Sequence, residues 1–228
     1  MSKNLLQRII TSIILLSLLI FVNFSNKYIF ISSIFILSII ICVEANNIFL
    51  KLVGFKSLKN TSFKKFNLRL LALNLITFLY IFFVFCNLSF EIYKLQGPVF
   101  FIYLISICIF TDIGGYILGK SIGGKKLTKI SPNKTISGAI GSFLFSLIPL
   151  ILFSYFNYLD LEFNLSNIIF SLLVSLISQL GDLFVSYLKR KSKIKDTGKI
   201  LPGHGGVLDR IDGIIFAVPF SYFLLKII

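Results

Sequence analysis

Twelve residues near the C-terminus, LPGHGGVLDRID from Leu201 to Asp212, hold the only histidine of the chain together with three glycines, two aspartates and an arginine. The 228-residue sequence around them is 56% hydrophobic and only 14% charged, so polar groups gathered in this way call for a chemical reason. Four aspartates stand out: Asp112, Asp182, Asp209 and Asp212. Each lies near the same end of an apolar run, and the i, i+3 spacing of Asp209 and Asp212 places them on one helix face. Carboxylates at a single depth, with no matching thiol or imidazole set, describe a hard-cation site of oxygen ligands, most simply Mg²⁺. The alternative is that each acid pairs with a neighbouring Lys or Arg; it applies more readily to Asp112 than to Asp182, which follows Gly181 and has no base within five residues. Glu44, a lone acid near the end of another apolar run, reads as a snorkelling or paired group as readily as a catalytic one. Cys42, Cys86 and Cys108 are scattered through apolar runs and read as small hydrophobes, and one histidine cannot build a His-rich zinc site.

Glycines and bases of the kind that hold phosphate surround these acids. Gly203, Gly205 and Gly206 flank His204 in a loop at a helix start, where free backbone N–H groups favour an anion. Gly114, Gly115 and Gly119 fit an anion loop and close helix packing equally well. SPNKT, Ser131 to Thr135, puts two hydroxyls and Lys134 around a proline turn. Beside the acids, it suggests a triphosphate held by Lys134 and a helix N-terminus, with His204 in contact with the ligand.

The elements that must position these residues are membrane helices. Apolar runs near 20 residues, separated by short basic stretches, match a hydrocarbon core of about 30 Å, and they lack the alternation of a transmembrane barrel. The sequence predicts an all-α integral membrane protein, a helical bundle with about seven transmembrane helices at roughly residues 5–23, 28–49, 68–88, 98–119, 135–156, 166–188 and 207–227. The first run is expected to be a retained span, since no small-residue cleavage site follows it. Lys51, Lys56, Lys59, Lys64, Lys65 and Arg69 fill one loop. Lys120, Lys125, Lys126, Lys129 and Lys134 fill the second loop after it, and Lys189, Arg190, Lys191, Lys193, Lys195 and Lys199 the second after that. The loops between carry little positive charge and include Asp160, so the positive-inside rule puts the N-terminus inside. The net charge of +14 is then mostly topology and needs no nucleic acid, while basic inner loops also attract an anionic lipid.

The stretch SYLKRKSKIKDTGKILPGHGGVLDRID, Ser186 to Asp212, together with TDIGGYILGKSIGGKKL, SPNKTISG and Gly181–Leu183, resembles the phosphatidate cytidylyltransferase (CDP-diglyceride synthase) family. The resemblance covers roughly residues 110–215. Asn133, Ser137 and Val185 depart from the family pattern, and none of these touches the four aspartates. It implies transfer of CMP from CTP to phosphatidic acid, giving CDP-diacylglycerol and pyrophosphate in phospholipid biosynthesis. It implies catalytic roles for Asp182, Asp209, Asp212, Lys134, Arg210 and His204, and Mg²⁺ on Asp182 and Asp209 with Asp212 and Asp112 in or next to that shell. Substrate contacts fall to Ser131, Thr135, Lys189, Arg190, Lys195, Asp196, Gly205 and Gly206. The expected partners are CTP, phosphatidic acid and the bilayer, with a homodimer left open. The expected setting is the inner cell membrane, active site facing the cytoplasm, in one membrane domain over 1–228, with N-terminal spans in 1–97 and catalytic spans in 98–228. Two rivals remain at this stage: a related lipid kinase or CDP-lipid synthase with another acceptor, and a secondary transporter.

Overall fold

The computed structural model describes residues 3–53, 68–128, 131, 134–159 and 161–227. Lys56, Lys59, Lys64, Lys65, Lys129, Asn133 and Asp160, which carry part of the charge and motif reading, lie outside the described residues. Among the described residues the chain is helix and loop, with two isolated backbone bridges, Lys126 with Thr135 and Leu201 with Gly205. The helices are α1 (Lys3–Phe24), α2 (Lys27–Leu52), α3 (Leu68–Leu79) running through a π-helical stretch (Tyr80–Cys86) into α4 (Asn87–Ser121), α5 (Ile136–Ser146), α6 (Ile148–Tyr155), α7 (Leu165–Lys191), α8 (Leu208–Ile211) and α9 (Ile214–Leu224). Five stretches are long and apolar enough to cross a bilayer: Leu6–Phe24, Lys27–Leu52, Leu68–Ser121, Ile136–Tyr155 and Leu165–Lys191. Their outer faces carry exposed Leu, Ile and Phe from Leu6 to Phe184, which only a lipid surround satisfies, so this is a membrane protein.

Helix starts follow from local chemistry. The Asn26 side chain accepts from the Ile29 N–H at 2.9 Å and begins α2, Asn164 does the same for Asn167 in α7, and Thr135 for Gly138 in α5. Breaks fall at Gly and Pro. The sequence reading leaves residues between its third and fourth spans as a loop, but helix continues through them and the reversal is concentrated at Gly97 (φ +82°), immediately before Pro98. Tyr80, whose hydroxyl donates to the Ile215 carbonyl at 3.2 Å, and Asp112, beside Asp182, lie at the same level of the bundle. A straight helix would hold them roughly 50 Å apart, so the 54-residue stretch folds back on itself. Pro149 stands in the first turn of α6, just after the break from α5, while Pro219 is accommodated inside the continuous α9.

Polar pairs set the packing inside. The Tyr103 hydroxyl meets the Ser171 hydroxyl at 2.9 Å and the Thr111 hydroxyl meets that of Ser175 at 2.9 Å, locking α4 parallel to α7. Asn74 donates to Asn46 at 2.9 Å, tying α3 to α2. Of the two roles open to Gly114, Gly115 and Gly119, the structure uses close packing: a Cβ on Gly141 of α5 would lie 2.6 Å from the Gly114 carbonyl, and one on Gly138 would lie 2.8 Å from that of Gly115. A single buried cluster runs from Phe30 to Leu224 and carries Tyr103, Leu104, Ile107, Val174, Ala217 and Val218 at its centre. The four aspartates gather at one end of it, where α2, α4 and α7 finish and α5 and α8 begin.

Candidate active site

The site forms where four chain segments meet at the basic end of the bundle. Close α4–α5 packing brings the start of α5, and with it Lys134, over α7, where the Lys134 ammonium forms an ion pair with Asp182. Lys134 is held by backbone on both sides: its N–H donates to the Ser131 carbonyl at 3.0 Å and its carbonyl accepts from the Leu127 N–H at 2.8 Å. Ser186, one turn along α7, donates to Asp182 at 3.2 Å. Gly181 lets the other wall approach, because a Cβ there would lie 2.9 Å from the Asp212 carbonyl and 2.6 Å from the Phe216 ring. Asp212, buried at 8% exposure, thereby comes close enough to Asp182 to feel its charge, and its own Oδ1 accepts from the Gly213 N–H at 3.0 Å. Asp112 stands at the open edge, close enough to Asp182, Lys134 and Arg210 to feel their charges.

Asp209 meets α7 further along, at Lys189. Its Oδ1 accepts from Lys189 at 2.8 Å and its Oδ2 from the Thr197 N–H at 2.8 Å, the Thr197 hydroxyl at 3.1 Å and the Gly206 N–H at 3.0 Å. The i, i+3 pair faces α7 at two levels, Asp209 beside Lys189 and Asp212 beside Asp182, because the backbone stays right-handed helical through Asp212 and Gly213. Of the four aspartates, the structure gathers Asp182 and Asp212 with Asp112 beside them and binds Asp209 into the loop. The reading that acids pair with bases also finds its instances here, since Asp182 has Lys134 and Asp209 has Lys189.

The remaining candidates divide in the same manner. Arg210 donates through Nε and Nη2 to the His204 carbonyl at 3.2 and 2.7 Å, which shapes the glycine loop. The His204 ring faces α1, with Nδ1 3.0 Å from the Thr11 hydroxyl and Nε2 3.4 Å from that of Ser12, while Arg8 donates to the Gly203 carbonyl at 3.0 Å. Partial burial, then the Arg210 and Arg8 charges, hold the imidazole below its usual range. Gly205 (φ +86°) fits beneath Asp196 and Asp209, where a Cβ would lie 3.2 and 3.0 Å from them. Thr135 caps α5 with its hydroxyl oxygen, and Ser131 serves the turn through its backbone. Arg190, Lys195 and Asp196 are exposed around the rim. Residues the motif reading passed over prove to be part of the frame: Thr197, Glu44, Arg8 and Thr11. Only Glu44 carried a signal in the sequence, as an acid where an apolar residue was due.

An all-oxygen pair of carboxylates beside a lysine suits a divalent cation of the Mg²⁺ type, which is commonly held by one or two carboxylates with the rest of its shell from substrate phosphate and water. Among the described residues no group of three or more His, Cys, Asp or Glu side chains is gathered to hold an ion, so the four aspartates are not brought together as one ligand set.

A site of this composition, a lysine and paired carboxylates between a glycine-packed helix pair and a basic glycine loop, sits within the part of the chain, residues 45–228, that matches the sequence profile of the cytidylyltransferase family, and the chain belongs to that family. Its relatives include the phosphatidate cytidylyltransferases of Bacillus subtilis (strain 168), 42% identical over 132 residues, of Helicobacter pylori (strain J99), 43% over 138, and of Staphylococcus aureus (strain COL), 44% over 134. These alignments cover 58%, 60% and 57% of this chain and 49%, 50% and 50% of the relatives, so the chain spans about half the length of the curated relatives it matches.

Proposed function

We propose that the chain transfers CMP from CTP to phosphatidic acid, releasing pyrophosphate and leaving CDP-diacylglycerol in the bilayer. The observation that carries the reading is the Lys134–Asp182–Asp212 cluster, set at the mouth of a lipid-embedded bundle inside the segment that the family shares. An oxygen of the phosphatidate phosphate attacks the α-phosphorus of CTP, forming one P–O bond as the bond to the departing pyrophosphate breaks. No protein nucleophile is needed, and what the protein supplies is position and countercharge. Lys134 sits where the triphosphate would meet the start of α5, and the exposed Arg190, Lys195 and Arg210 line the approach for phosphate oxygens. Lys189 acts at one remove, since its ammonium is committed to Asp209. Asp182 and Asp212, with Asp112 adjacent, would hold Mg²⁺, which when bound neutralises phosphate charge and the developing pyrophosphate. His204 and its glycines shape the wall against α1. Asp209 belongs to the same wall through Thr197 and Gly206, in place of a direct ligand role.

The decisive experiment supplies the purified chain, in detergent with phosphatidic acid, with radiolabelled CTP. CDP-diacylglycerol should form, should require Mg²⁺ or Mn²⁺, and should survive a zinc-selective chelator with Mg²⁺ in excess. Labelled CTP that neither binds nor reacts would end the assignment, and product only with another lipid phosphate would move it to a different acceptor.

The same reading takes the bundle as one domain crossing the membrane seven times, with the N-terminus and the active site on the cytoplasmic side of the cell membrane. Five apolar stretches, the fold-back at Gly97 and the return of α8 and α9 along α7 support this count. Cysteines at positions 126 and 193 should react with an impermeant thiol reagent only from the cytoplasmic side, and one at position 160 only from outside. Labelling of position 160 from the cytoplasmic side would refute the topology.

A further inference from the structure

Glu44 lies in the last turns of α2, outside every motif so far considered, and is 1% exposed. A carboxylate taken this far from water needs full compensation. The two ion pairs among the described residues are Lys134 with Asp182 and Lys189 with Asp209, so the compensation for Glu44 comes from hydrogen-bond donors. There are three. The Val207 N–H donates to Oε1 at 3.0 Å, and the Leu208 N–H and the Thr197 hydroxyl each donate to Oε2 at 2.8 Å. These donors come from the two ends of the loop that joins α7 to α8, and they are drawn onto one carboxylate. Gly198 and Gly206 make the approach feasible: a Cβ on Gly206 would lie 2.7 Å from the Gly198 N–H nitrogen, and one on Gly198 would lie 3.0 Å from the Glu44 carboxyl carbon.

Thr197 extends the arrangement, because its N–H and hydroxyl also reach Asp209, which holds the Gly206 N–H and the Lys189 ammonium. One turn beyond Glu44 the Ile48 carbonyl accepts from the Ser192 hydroxyl at 3.1 Å, fixing the start of the same loop to α2. The loop carries Lys195, Asp196, His204 and the glycines, and delivers Arg210 and Asp212. A fully apolar residue at position 44 could hold α2 against the bundle, whereas only an acceptor of three bonds can set the register of residues 197–198 against 206–208.

We propose that Glu44 is a positioning residue which, through Thr197, Val207 and Leu208, holds the loop from Ser192 to Val207 in the conformation that binds CTP. The proposal rests on the cytidylyl-transfer reading for its kinetic arm and on geometry alone for its exchange arm. The test uses the full chain in lipid nanodiscs with the changes Glu44→Gln, Thr197→Val and Thr197→Ser. Glutamine keeps one acceptor oxygen and turns an NH₂ toward the backbone donors, so the binding-competent fraction should fall. KM for CTP should rise about tenfold, with kcat within about twofold, as expected when ligand must select a depleted state. Amide hydrogen exchange at Val207 and Leu208 should quicken, with no change around Tyr103 to Thr111 in α4. Thr197→Val should move both readouts in the same direction, and Thr197→Ser, which keeps the hydroxyl, should restore both.

A merely structural role gives a different pattern, in which less folded protein lowers kcat per total protein and leaves KM unchanged; that result overturns the proposal. So does a KM rise without faster exchange at the two amides, or failure of Thr197→Ser to restore them. If the unaltered chain converts no CTP, the substrate assignment fails by itself. The exchange arm then decides: faster exchange in Glu44→Gln upholds the clamp, and unchanged exchange overturns it.

Discussion

Asp182→Asn should lower the conversion of CTP and phosphatidic acid by at least about a hundredfold, while the protein reaches the membrane at normal levels. Each tenfold corresponds to about 1.4 kcal/mol of activation free energy, and a bound cation contributes several kcal/mol to charge neutralisation in such a transfer. Asn keeps the size of the side chain but removes the charge that answers both Lys134 and the proposed cation. The fold should tolerate the change. The Lys134–Asp182 pair is 29% and 24% exposed at its two side chains, so its direct contribution to stability is modest. Removing a negative charge from a membrane helix eases insertion if it changes it at all. Turnover measured at matched membrane levels, with a melting curve in detergent, checks both halves. Near-normal turnover together with poor insertion would show that Asp182 is a structural partner of Lys134 and nothing more.

Asp209→Asn should behave differently, and its largest effect should be on stability. The Lys189 and Asp209 side chains are only 11% and 6% exposed, and their ion pair is 2.8 Å long. Taking away one member of such a pair leaves a buried ammonium without its counter-ion, which costs about 3–5 kcal/mol. Thr197 and Gly206 lose the charged acceptor that organises their N–H groups in the same step. The unfolding temperature in detergent should therefore drop by many degrees. Turnover should fall with it, and replacing both residues by Lys189→Met with Asp209→Leu should recover only the part of the loss that comes from the unpaired ammonium, and no activity. Should Asp209→Asn melt like the unaltered protein and yet be inactive, Asp209 would belong with Asp182 as a cation ligand, and the division of the four aspartates drawn from the geometry would be wrong.

That division marks the limit of what the chain discloses by inspection. Apolar length and the placement of Lys and Arg suffice to find the helices, because a bilayer demands about 20 apolar residues wherever helix crosses it. Asn26, Thr135 and Asn164 could be read as helix starts for an equally local reason. Acids and glycines near residues 112, 182 and 201–212 drew attention because such groups are costly in an apolar chain. Which acid faces which partner is another matter. Lys134 reaches Asp182 only because Gly138 and Gly141 allow α5 to lie against α4, and Asp209 meets Lys189 while Asp212 meets Asp182 because of how the segment lies along α7. Spacing along one helix says nothing about its register against another. The role of Glu44 depends on three donors more than 150 positions away in sequence, two of them backbone groups that leave no trace in residue type. The π-helical stretch that aims Tyr80 at Ile215 is similarly a product of tertiary fit.

The reversal at Gly97 also bears on how such a chain comes to be assembled. A turn made in so few residues has no slack, so its two arms form a helical hairpin. Its tip meets something already made. Tyr93 donates to the carbonyls of Asn23 and Ser25 at 3.0 and 3.3 Å, and its ring stacks on Phe30, which also meets Phe101 beyond the reversal edge-on. The α1–α2 turn, synthesised first, thus offers two open carbonyls and an aromatic seat at the depth where the later hairpin must stop. Translation order and bundle geometry coincide: the first hairpin gauges the second, which in turn presents Asp112 to the aspartates that follow.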